Sequence, residues 1–376
     1  MKRIAFVVKT AGLEFDDRVR KEALSIRSIG YDVTIFVQLN SNLKETGTTS
    51  YGIAYESIEL ETRNFLPSSR FLLIKAFEFY LRLRGRLNQF DYVWCHEEYT
   101  FIFPLLIAKN KVIWDLHELP IRFNTKFMQI VYRAIEARCL SIVHANKYRL
   151  QFLKNTGLVR KTEKNFVINN YPDDRFLKST IKSSVNDDFI KWKGQSNYVY
   201  LQGLTTSKRL PYNTLKAVLT AKCRAVIVGN IEKGVMERLK EEFGEVEVQR
   251  RLFLTGMIEQ MAIRNLLIDA QFTIVLYDDS TPNNRYCEAN RLYQSILSRV
   301  PVIVGANPPM AQLVMSLKCG VVLDDFGDDL ESLTSAVLLM KHKSQEYTVN
   351  ERKLEQLLWS DTQVFKLMTY VEKNHD

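Results

Sequence analysis

Cysteine and histidine are scarce in this chain of 376 residues, and neither is clustered. The cysteines are Cys95, Cys139, Cys223, Cys287 and Cys319. They are too far apart for a metal or redox motif, and this usage indicates a reducing compartment such as the cytoplasm. The five histidines are equally scattered, so we expect no protein-built zinc site and no bound metal.

Long apolar runs are also missing. No stretch approaches the ~20 apolar residues that a transmembrane helix needs. The first residues, MKRIAFVVK, are too short in their apolar part for a signal peptide and predict a β-strand instead. With 46% hydrophobic and 25% charged residues, the composition is typical of a soluble globular protein. A chain of this length exceeds one compact core and predicts two domains.

Positive charge is uneven along the chain. Residues 1–175 hold 27 Lys plus Arg against 19 Asp plus Glu, whereas residues 176–376 hold 25 against 24. The excess in the first half favours an anionic partner: a membrane surface, a nucleic acid or a phosphate-bearing substrate. A nucleic acid is disfavoured because no stripe of alternating aromatic and basic residues is present.

Residues 63–88 predict a basic amphipathic helix. The basic residues are Arg63, Arg70, Lys75, Arg82, Arg84 and Arg86, and the one acid is Glu78. Apolar residues between them recur at helical spacing. Such a helix can lie on an anionic membrane; the alternative is a core-facing helix with a solvated rim. The protein is therefore expected in the cytoplasm, either free or peripheral on the inner membrane.

Strands and helices alternate through both halves, which predicts doubly wound parallel sheets. Strands are expected at Arg3–Val8, Asp32–Val37, Tyr92–Cys95, Val112–Trp114, Ser141–Ala145, Phe166–Ile168, Tyr198–Leu201, Ala225–Val228, Val246–Val248, Leu252–Leu254, Phe272–Tyr277, Val300–Val304 and Val321–Leu323. The expected organisation is an N-terminal domain (1–175), a linker (176–195), a C-terminal domain (196–348) and a helical tail (349–376).

The segment 283–294, NNRYCEANRLYQ, is the most informative part of the chain. It lies between the strand that ends at Tyr277 and the strand 300–304, and it predicts a polar loop followed by a helix. Ligands of parallel sheets bind at the carboxyl ends of the strands, and a helix N-terminus favours phosphate. The alternative is an ordinary βαβ crossover with a polar loop.

Six motifs in order resemble the retaining, family-4-like glycosyltransferases. They are DRVRKEA with GYDVT (17–34), WDLHELP (114–120), VINNYP (167–172), YLQG with KRL (200–210), VIVG (226–229) and NNRYCEANRLYQ with VPVIVG (283–305). The resemblance implies the GT-B architecture: two Rossmann-like domains facing a cleft, with a C-terminal helix that packs back toward the N-terminal domain. It places a nucleotide-sugar donor in the C-terminal domain and the acceptor in the N-terminal domain.

Donor binding is expected at the carboxyl ends of the C-terminal strands. Lys208 and Arg209 follow the first of these strands, where cations stabilise a departing phosphate; the alternative is two solvated surface charges. Leu204 stands where the family often has arginine, so Arg285 or Arg291 is a candidate replacement. The candidate donor residues are Gly203, Lys208, Arg209, Gly229, Tyr277, Asn284, Arg285, Asn290, Arg291 and Gln294.

Two glutamates of the family motif are missing here. In register they fall at Tyr286 and Gln294. The amide of Gln294 can still hydrogen-bond a ribose diol, and Glu288 is a candidate catalytic group beside the sugar. A UDP- or GDP-sugar is the expected donor, and these departures leave a CMP-sugar open. The nucleotide-sugar is a substrate, and no cofactor is expected.

His117 occupies the DxHE-like turn, and the resemblance implies that it touches the donor sugar or the acceptor. The alternative is a structural histidine. The candidate acceptor residues are Gly12, Asp17, Arg18 and Glu118, of which Glu118 is equally compatible with a helix cap. For Arg18 the alternative is a salt bridge with Asp17.

The resemblance implies a metal-independent glycosyltransferase, with retention, that extends a glycan or lipid-linked glycan such as lipopolysaccharide or capsule. Two other functions stay open: a catalytically silent nucleotide- or glycan-binding protein of the same fold, and a nucleotide-sugar epimerase. The silent protein is favoured by the residues at 286 and 294. The epimerase needs an acid–base pair that the second half does not show.

Overall fold

The computed structural model describes residues 1–39, 46–67, 71–120, 125–179, 187–347 and 351–375, without the side chains of 351 and 352. The chain divides into two compact units. The first unit is Met1–Asn170 together with Ser360–Asp376, and the second is Tyr171–Trp359.

The first unit is built on an eight-stranded sheet. Its strands are β1 (Arg3–Thr10), β2 (Asp32–Leu39), β3 (Thr46–Thr48), β4 (Ala54–Ser57), β5 (Tyr92–His96), β6 (Val112–Leu116), β7 (Ser141–His144) and β8 (Asn165–Val167). Their spatial order is β3-β4-β2-β1-β5-β6-β7-β8, and only β3 pairs antiparallel. The central strands are apolar and buried along their length, as expected for parallel strands covered on both faces.

Helices connect these strands. They are α1 (Asp17–Ser28), α2 (Thr62–Phe65), α3 (Leu72–Leu83), α4 (Ile102–Leu106), α5 (Lys126–Arg138) and α6 (Lys147–Asn155). The Asp16 carboxylate caps α1 by accepting from the Val19 N–H at 3.3 Å. Gly30, with φ +93°, turns the chain into β2 directly after this helix.

The C-terminal helix Thr362–Lys373 also belongs to the first unit. Its buried side chains are Val364, Leu367, Met368 and Val371. It packs against α1, where Ser25 Oγ donates to Asp361 at 2.5 Å. Tyr31 also donates to Glu372. The expected return of this helix to the N-terminal domain is confirmed.

The second unit is built on a six-stranded parallel sheet. Its strands are β9 (Val199–Gln202), β10 (Ala225–Val228), β11 (Leu252–Gly256), β12 (Phe272–Val275), β13 (Val302–Val304) and β14 (Gly320–Val322), in the order β11-β10-β9-β12-β13-β14. The helices are α7 (Asp174–Lys178), α8 (Asp187–Lys193), α9 (Pro211–Thr220), α10 (Val235–Phe243), α11 (Glu245–Arg251), α12 (Ile263–Leu267), α13 (Pro282–Arg285), α14 (Asn290–Leu297), α15 (Pro308–Leu317), α16 (Leu330–Lys343) and α17 (Glu351–Leu354). The predicted fold class, two Rossmann-like α/β domains, is confirmed.

The strand expected at Val246–Val248 is wrong, because these residues lie in α11. Glu247 pairs with Arg250 at 2.5 Å and with Arg251, at helical spacings of three and four residues. Val248 is buried, whereas Val246 is 80% exposed. The alternating Glu-Val-Glu-Val sequence therefore places only one valine in the core.

Among the described residues, no helix has both the length and the apolar character needed to cross a membrane.

Candidate functional sites

Six ionisable side chains meet at the carboxyl ends of β5 and β6 in the first unit. Arg18 and Glu22 come from α1, His96 and Glu97 from the end of β5, and Asp115 and His117 from the end of β6. Neighbouring parallel strands place His96 opposite Asp115 in the sheet register. We call these six residues the carboxylate–histidine cluster.

Asp115 is at the centre of the carboxylate–histidine cluster and is fully buried. Arg18 donates to both of its oxygens, from Nη2 at 2.8 Å and from Nε at 3.1 Å. Arg18 also donates to the Ile168 carbonyl and lies 3.1 Å from Glu22. Burial lowers the pKa of Arg18, but the charges of Asp115 and Glu22 outweigh it and raise that pKa. The side chain is therefore an internal cation.

His117 is held on both sides by carboxylates. Its Nδ1 lies 2.7 Å from Glu97 Oε1, and its Nε2 lies 3.3 Å from Asp115 Oδ2. Burial opposes the charge on the ring, but Glu97 and Asp115 outweigh burial and raise the pKa of His117 well above its ordinary value. The two carboxylates therefore favour the imidazolium form of His117. The side chain stays 18% exposed, so it can reach a ligand.

Burial also acts on the other two members of the carboxylate–histidine cluster. It lowers the pKa of His96 to about 3. Burial, reinforced by Asp115, raises the pKa of Glu22 well above its ordinary value. In both groups the loss of water disfavours the charged form.

His96, Asp115 and His117 offer three ligand atoms within 4.8 Å of one another, as a metal site requires. Both Asp115 oxygens also accept hydrogen bonds from Arg18, so the guanidinium already places a positive charge beside them.

Glu97 was not expected from the sequence. Its backbone has φ +68° and ψ 161°, a region that residues other than glycine rarely adopt. The Glu97 N–H donates to the Asp115 carbonyl at 2.8 Å, and its own carbonyl accepts from Thr100 Oγ1 and Trp114 Nε1. These bonds hold the unusual conformation that aims the carboxylate at His117. A glutamate immediately after a buried strand is the only signal that the sequence offered.

Of the candidate acceptor residues, Arg18 is a buried member of the carboxylate–histidine cluster, and the other three lie outside that cluster. Asp17 does not pair with Arg18; it binds Arg20 at 2.5 Å and Lys21 at 2.7 Å. Gly12 lies in the loop between β1 and α1, and Glu118 is exposed next to His117. Their roles toward an acceptor stay predictions.

A second group of candidate side chains lies at the carboxyl ends of β9 and β12 in the second unit. The guanidinium carbons of Arg209 and Arg291 lie 5.5 and 5.0 Å from the centre of the Tyr277 ring, within cation–π distance. Arg209 donates to the Gly203 carbonyl at 2.6 Å. Arg291 donates to the carbonyls of Gln202 and Leu276. We call Lys208, Arg209, Tyr277 and Arg291 the cation–tyrosine cluster.

Arg291 is 8% exposed. Burial, and then the nearby charge of Arg209, lower the pKa of Arg291 despite the opposing effect of Tyr277. Within the described residues no acid forms an ion pair with Arg209 or Arg291, so these like charges are held together by carbonyls and a tyrosine ring. Lys208 adds an exposed ammonium in the same turn, and its carbonyl accepts from the Asp278 N–H. Such a group can bind an anion.

Two glycines shape this end of the sheet. Gly203 has φ +69°, and a Cβ there would lie 2.5 Å from Arg209 Nη1. Gly229 has φ +92° and donates its N–H to the Gly256 carbonyl at 2.8 Å. Both positions therefore require glycine, and they leave backbone exposed to a ligand.

The loop 278–290 holds the other candidate donor residues. Asn284 is nearly buried and donates to Asp278, while Arg285 is half-exposed and lies 3.8 Å from Asp279. The Glu288 carboxylate accepts from the Tyr293 hydroxyl at 2.5 Å. Asn290 is exposed at the start of α14, and Gln294 is 5% exposed one turn later.

No protein-family model and no curated protein sequence matches this chain. Solved structures match it over nearly its whole length. Sucrose-phosphate synthase from Thermosynechococcus elongatus is 12% identical, covers 99% of both chains and has a TM-score of 0.72. Anabaena Alr3699/HepE in complex with UDP is 12% identical and covers 99% of this chain and 98% of its own, with a TM-score of 0.62. WaaG, a glycosyltransferase involved in lipopolysaccharide biosynthesis, is 14% identical and covers 99% and 95%, with a TM-score of 0.60. The chain therefore has the GT-B fold of these enzymes.

Proposed function

We propose that this chain transfers a sugar from a nucleotide-sugar donor to a glycan or lipid-linked glycan. The observation that carries the proposal is the cation–tyrosine cluster at the carboxyl ends of β9 and β12. Guanidinium groups bind phosphate in bidentate fashion, and ligands of parallel sheets bind at this end. The same cations stabilise the departing nucleotide diphosphate, so the transfer needs no metal.

The donor is a UDP- or GDP-sugar, with a CMP-sugar as the third candidate. UDP is favoured because the HepE structure holds UDP, and a second HepE structure holds UDP and glucose. A thermal-shift comparison of UDP, GDP, CMP and ADP tests the choice, because a ligand that binds only the folded state raises the melting temperature. No shift with any of the four would contradict nucleotide binding.

The first unit supplies the acceptor side and the reacting group His117. An acceptor of bacterial surface polysaccharide, such as lipopolysaccharide or capsule, is favoured by the likeness to WaaG. Retention follows from the resemblance of the motifs, with Glu288 beside the sugar. The anomeric configuration of the product, measured by NMR, decides between retention and inversion.

A catalytically silent binding protein is the second candidate, because Tyr286 and Gln294 occupy the two positions of the missing glutamates. Incubation of the protein with UDP-sugars without acceptor separates the two functions. An enzyme slowly hydrolyses its donor, whereas a silent protein binds UDP and releases no sugar.

Replacing Gln294 tests whether it holds the ribose. Gln294→Glu is expected to retain nucleotide affinity, because a ribose diol can donate to either group. Gln294→Leu is expected to weaken binding by about 1–3 kcal/mol, because it leaves ribose hydroxyls unsatisfied in a desolvated site. Calorimetry with UDP measures both variants. Equal affinity of Gln294→Leu and wild type would place the ribose elsewhere.

The surface around α3 supports docking on a membrane. The helix runs over Leu72–Leu83, shorter than the segment 63–88 from which it was predicted, and Arg70 lies outside the described residues. Apolar side chains point outward along and beside it: Phe65, Phe71, Leu73, Ile74, Phe77 and Leu81 are 43–72% exposed. On α5, Phe127 and Ile130 are 63% and 66% exposed. Because α4 packs against both α3 and α5, these residues lie on one side of the first unit.

The basic residues of segment 63–88 contribute less positive charge to the surface than the sequence indicates. Lys75 is buried, Arg82 pairs with Glu61 and Glu78, and Arg86 pairs with Glu56. The charges of Arg82 and Arg86 are thus paired with acids of the first unit, and Lys75 is not at the surface. We therefore propose that a cytoplasmic enzyme inserts the apolar side chains of α3 into the inner membrane surface, while the remaining net positive charge directs it to anionic lipid.

Leu73→Ser with Phe77→Ser is expected to lower binding to anionic vesicles about 100-fold, since each buried apolar side chain contributes ~1.5 kcal/mol or more. Vesicle sedimentation measures the change. Met315→Ser, which replaces a 61% exposed residue of the second unit, is the matched control and should bind as wild type. Undiminished binding of the double variant would show that α3 does not insert.

A further inference from the structure

A cavity of about 600 Å³ lies at the opposite end of the second unit's sheet from the cation–tyrosine cluster. It is formed by the residues that lead into β9, β10, β11 and β12 and by the end of α16. Its charged lining residues are Lys222, Arg224, Arg250, Arg251 and Lys341, joined by His342. Its volume falls within the range of small-molecule sites.

Cations dominate the lining, and no carboxylate is part of it. Two of these cations also donate hydrogen bonds to backbone carbonyls of the second unit. Lys341 donates to the Ala221 carbonyl at 2.8 Å, and Arg251 donates to the Lys222 carbonyl at 2.7 Å. Both carbonyls lie just beyond the end of α9, where cations are favourable. Glu247, outside the lining, pairs with Arg250 and Arg251. One acid against five cations leaves a large positive excess.

Arg224 is the most constrained of these cations. Its guanidinium lies 4.2 Å from the centre of the Trp192 ring, and Nη1 donates to Ser196 Oγ at 3.0 Å. Its Nε is buried and has no hydrogen-bond partner. Burial and the charges of Arg250 and Arg251 lower the pKa of Arg224. The protein therefore holds like charges together around a cavity whose lining has no acid to balance them.

We propose that this cavity binds a small anion carrying two or more phosphate charges, separately from the donor. Several guanidinium and ammonium groups on different elements match the spread charge of a diphosphate, and arginine forks bind its oxygens in pairs. The polar groups of Ser196, Asn197 and Gln271 in the lining offer neutral partners for the rest of an organic phosphate. Such an anion would link the amino ends of four strands and act as a regulator or a stabiliser.

The test uses pyrophosphate and the full chain carrying Lys208→Ala and Arg209→Ala, which removes two of the candidate donor cations. Arg291 remains in every variant compared, so it cannot account for a difference between them. Calorimetry at physiological ionic strength is expected to detect binding in this background. Adding Lys222→Glu and Arg250→Glu, both at exposed positions, is expected to lower the affinity at least about 10-fold, because charge-assisted hydrogen bonds are lost.

A matched charge reversal, Lys240→Glu with Lys318→Glu, changes the net charge equally and lies outside the lining. It is expected to leave pyrophosphate affinity unchanged. The proposal is overturned if pyrophosphate does not bind in the Lys208→Ala, Arg209→Ala background, or if Lys222→Glu with Arg250→Glu does not weaken binding more than Lys240→Glu with Lys318→Glu. Neither result bears on sugar transfer, because transfer is measured as sugar delivered to an acceptor, which pyrophosphate binding does not report.

Discussion

His117→Ala is expected to lower the turnover of sugar transfer by a factor on the order of 10²–10³, the loss typical of removing a positioned charge from a reaction centre. Nucleotide affinity should change little, because the cation–tyrosine cluster belongs to the second unit. Turnover and UDP affinity, measured on the same preparation, separate the two effects. Turnover near that of the wild type would make His117 structural.

Glu97→Gln tests the same centre through a change of charge alone. It removes the carboxylate 2.7 Å from His117 Nδ1 and keeps the size of the side chain. The pKa of His117 should then fall, because burial is no longer opposed by two carboxylates. In the wild type, the stabilisation from charged His117 is fully present below the ordinary histidine pKa of about 6.5 and is lost as pH rises through the raised folded-state pKa. In Glu97→Gln this loss of stability, measured by denaturant unfolding, should occur at lower pH. The inflection of the pH–rate profile that reports the ionisation of His117 should shift to lower pH as well. Glu163→Gln, at an exposed position, is the control.

Lys208→Ala with Arg209→Ala is expected to lower nucleotide affinity by about 100-fold or more, since each hydrogen bond to a charged group contributes about 1.5–3 kcal/mol. Arg209 makes one local bond, to the Gly203 carbonyl, and Lys208 is exposed. The fold should therefore survive, as the melting temperature without ligand would show. Lys240→Ala with Lys318→Ala is the matched control. Unchanged UDP affinity by calorimetry would exclude these two cations as the phosphate ligands.

The parallel sheets could be predicted because buried strands have a strong local signature. Runs such as Ala225–Val228 are apolar throughout and too short for a buried helix, so a strand is the assignment that fits them. The strand prediction at Val246–Val248 failed because alternating valines and glutamates satisfy a strand pattern. The ion pairs that favour a helix there join residues three and four apart. Short segments of this kind are decided by packing and local pairs that periodicity does not report.

The candidate site residues likewise include some that the sequence predicts and some that it does not. Lys208, Arg209 and Arg291 follow from the positions of strand ends, which the sequence reveals. Glu97 depends on an unusual backbone angle and on a partner that follows the next strand, and neither has a sequence pattern. The pairing of Arg82 and Arg86 could not be predicted for a similar reason, because the acids that neutralise them lie partly on elements other than α3.

The chain passes from the first unit to the second after Asn170 and returns at Ser360. The helix that follows this return supplies four buried side chains and the partner of Tyr31, and its N-cap residue Asp361 accepts from Ser25 on α1. During synthesis, the first half therefore leaves the ribosome with part of its surface uncovered, and it stays so until that helix emerges. Domains usually complete folding in the order of their synthesis. Here the unit that starts first is finished last, so a messenger truncated after the second unit would yield a complete second unit joined to a first unit that still exposes the surface which this helix covers.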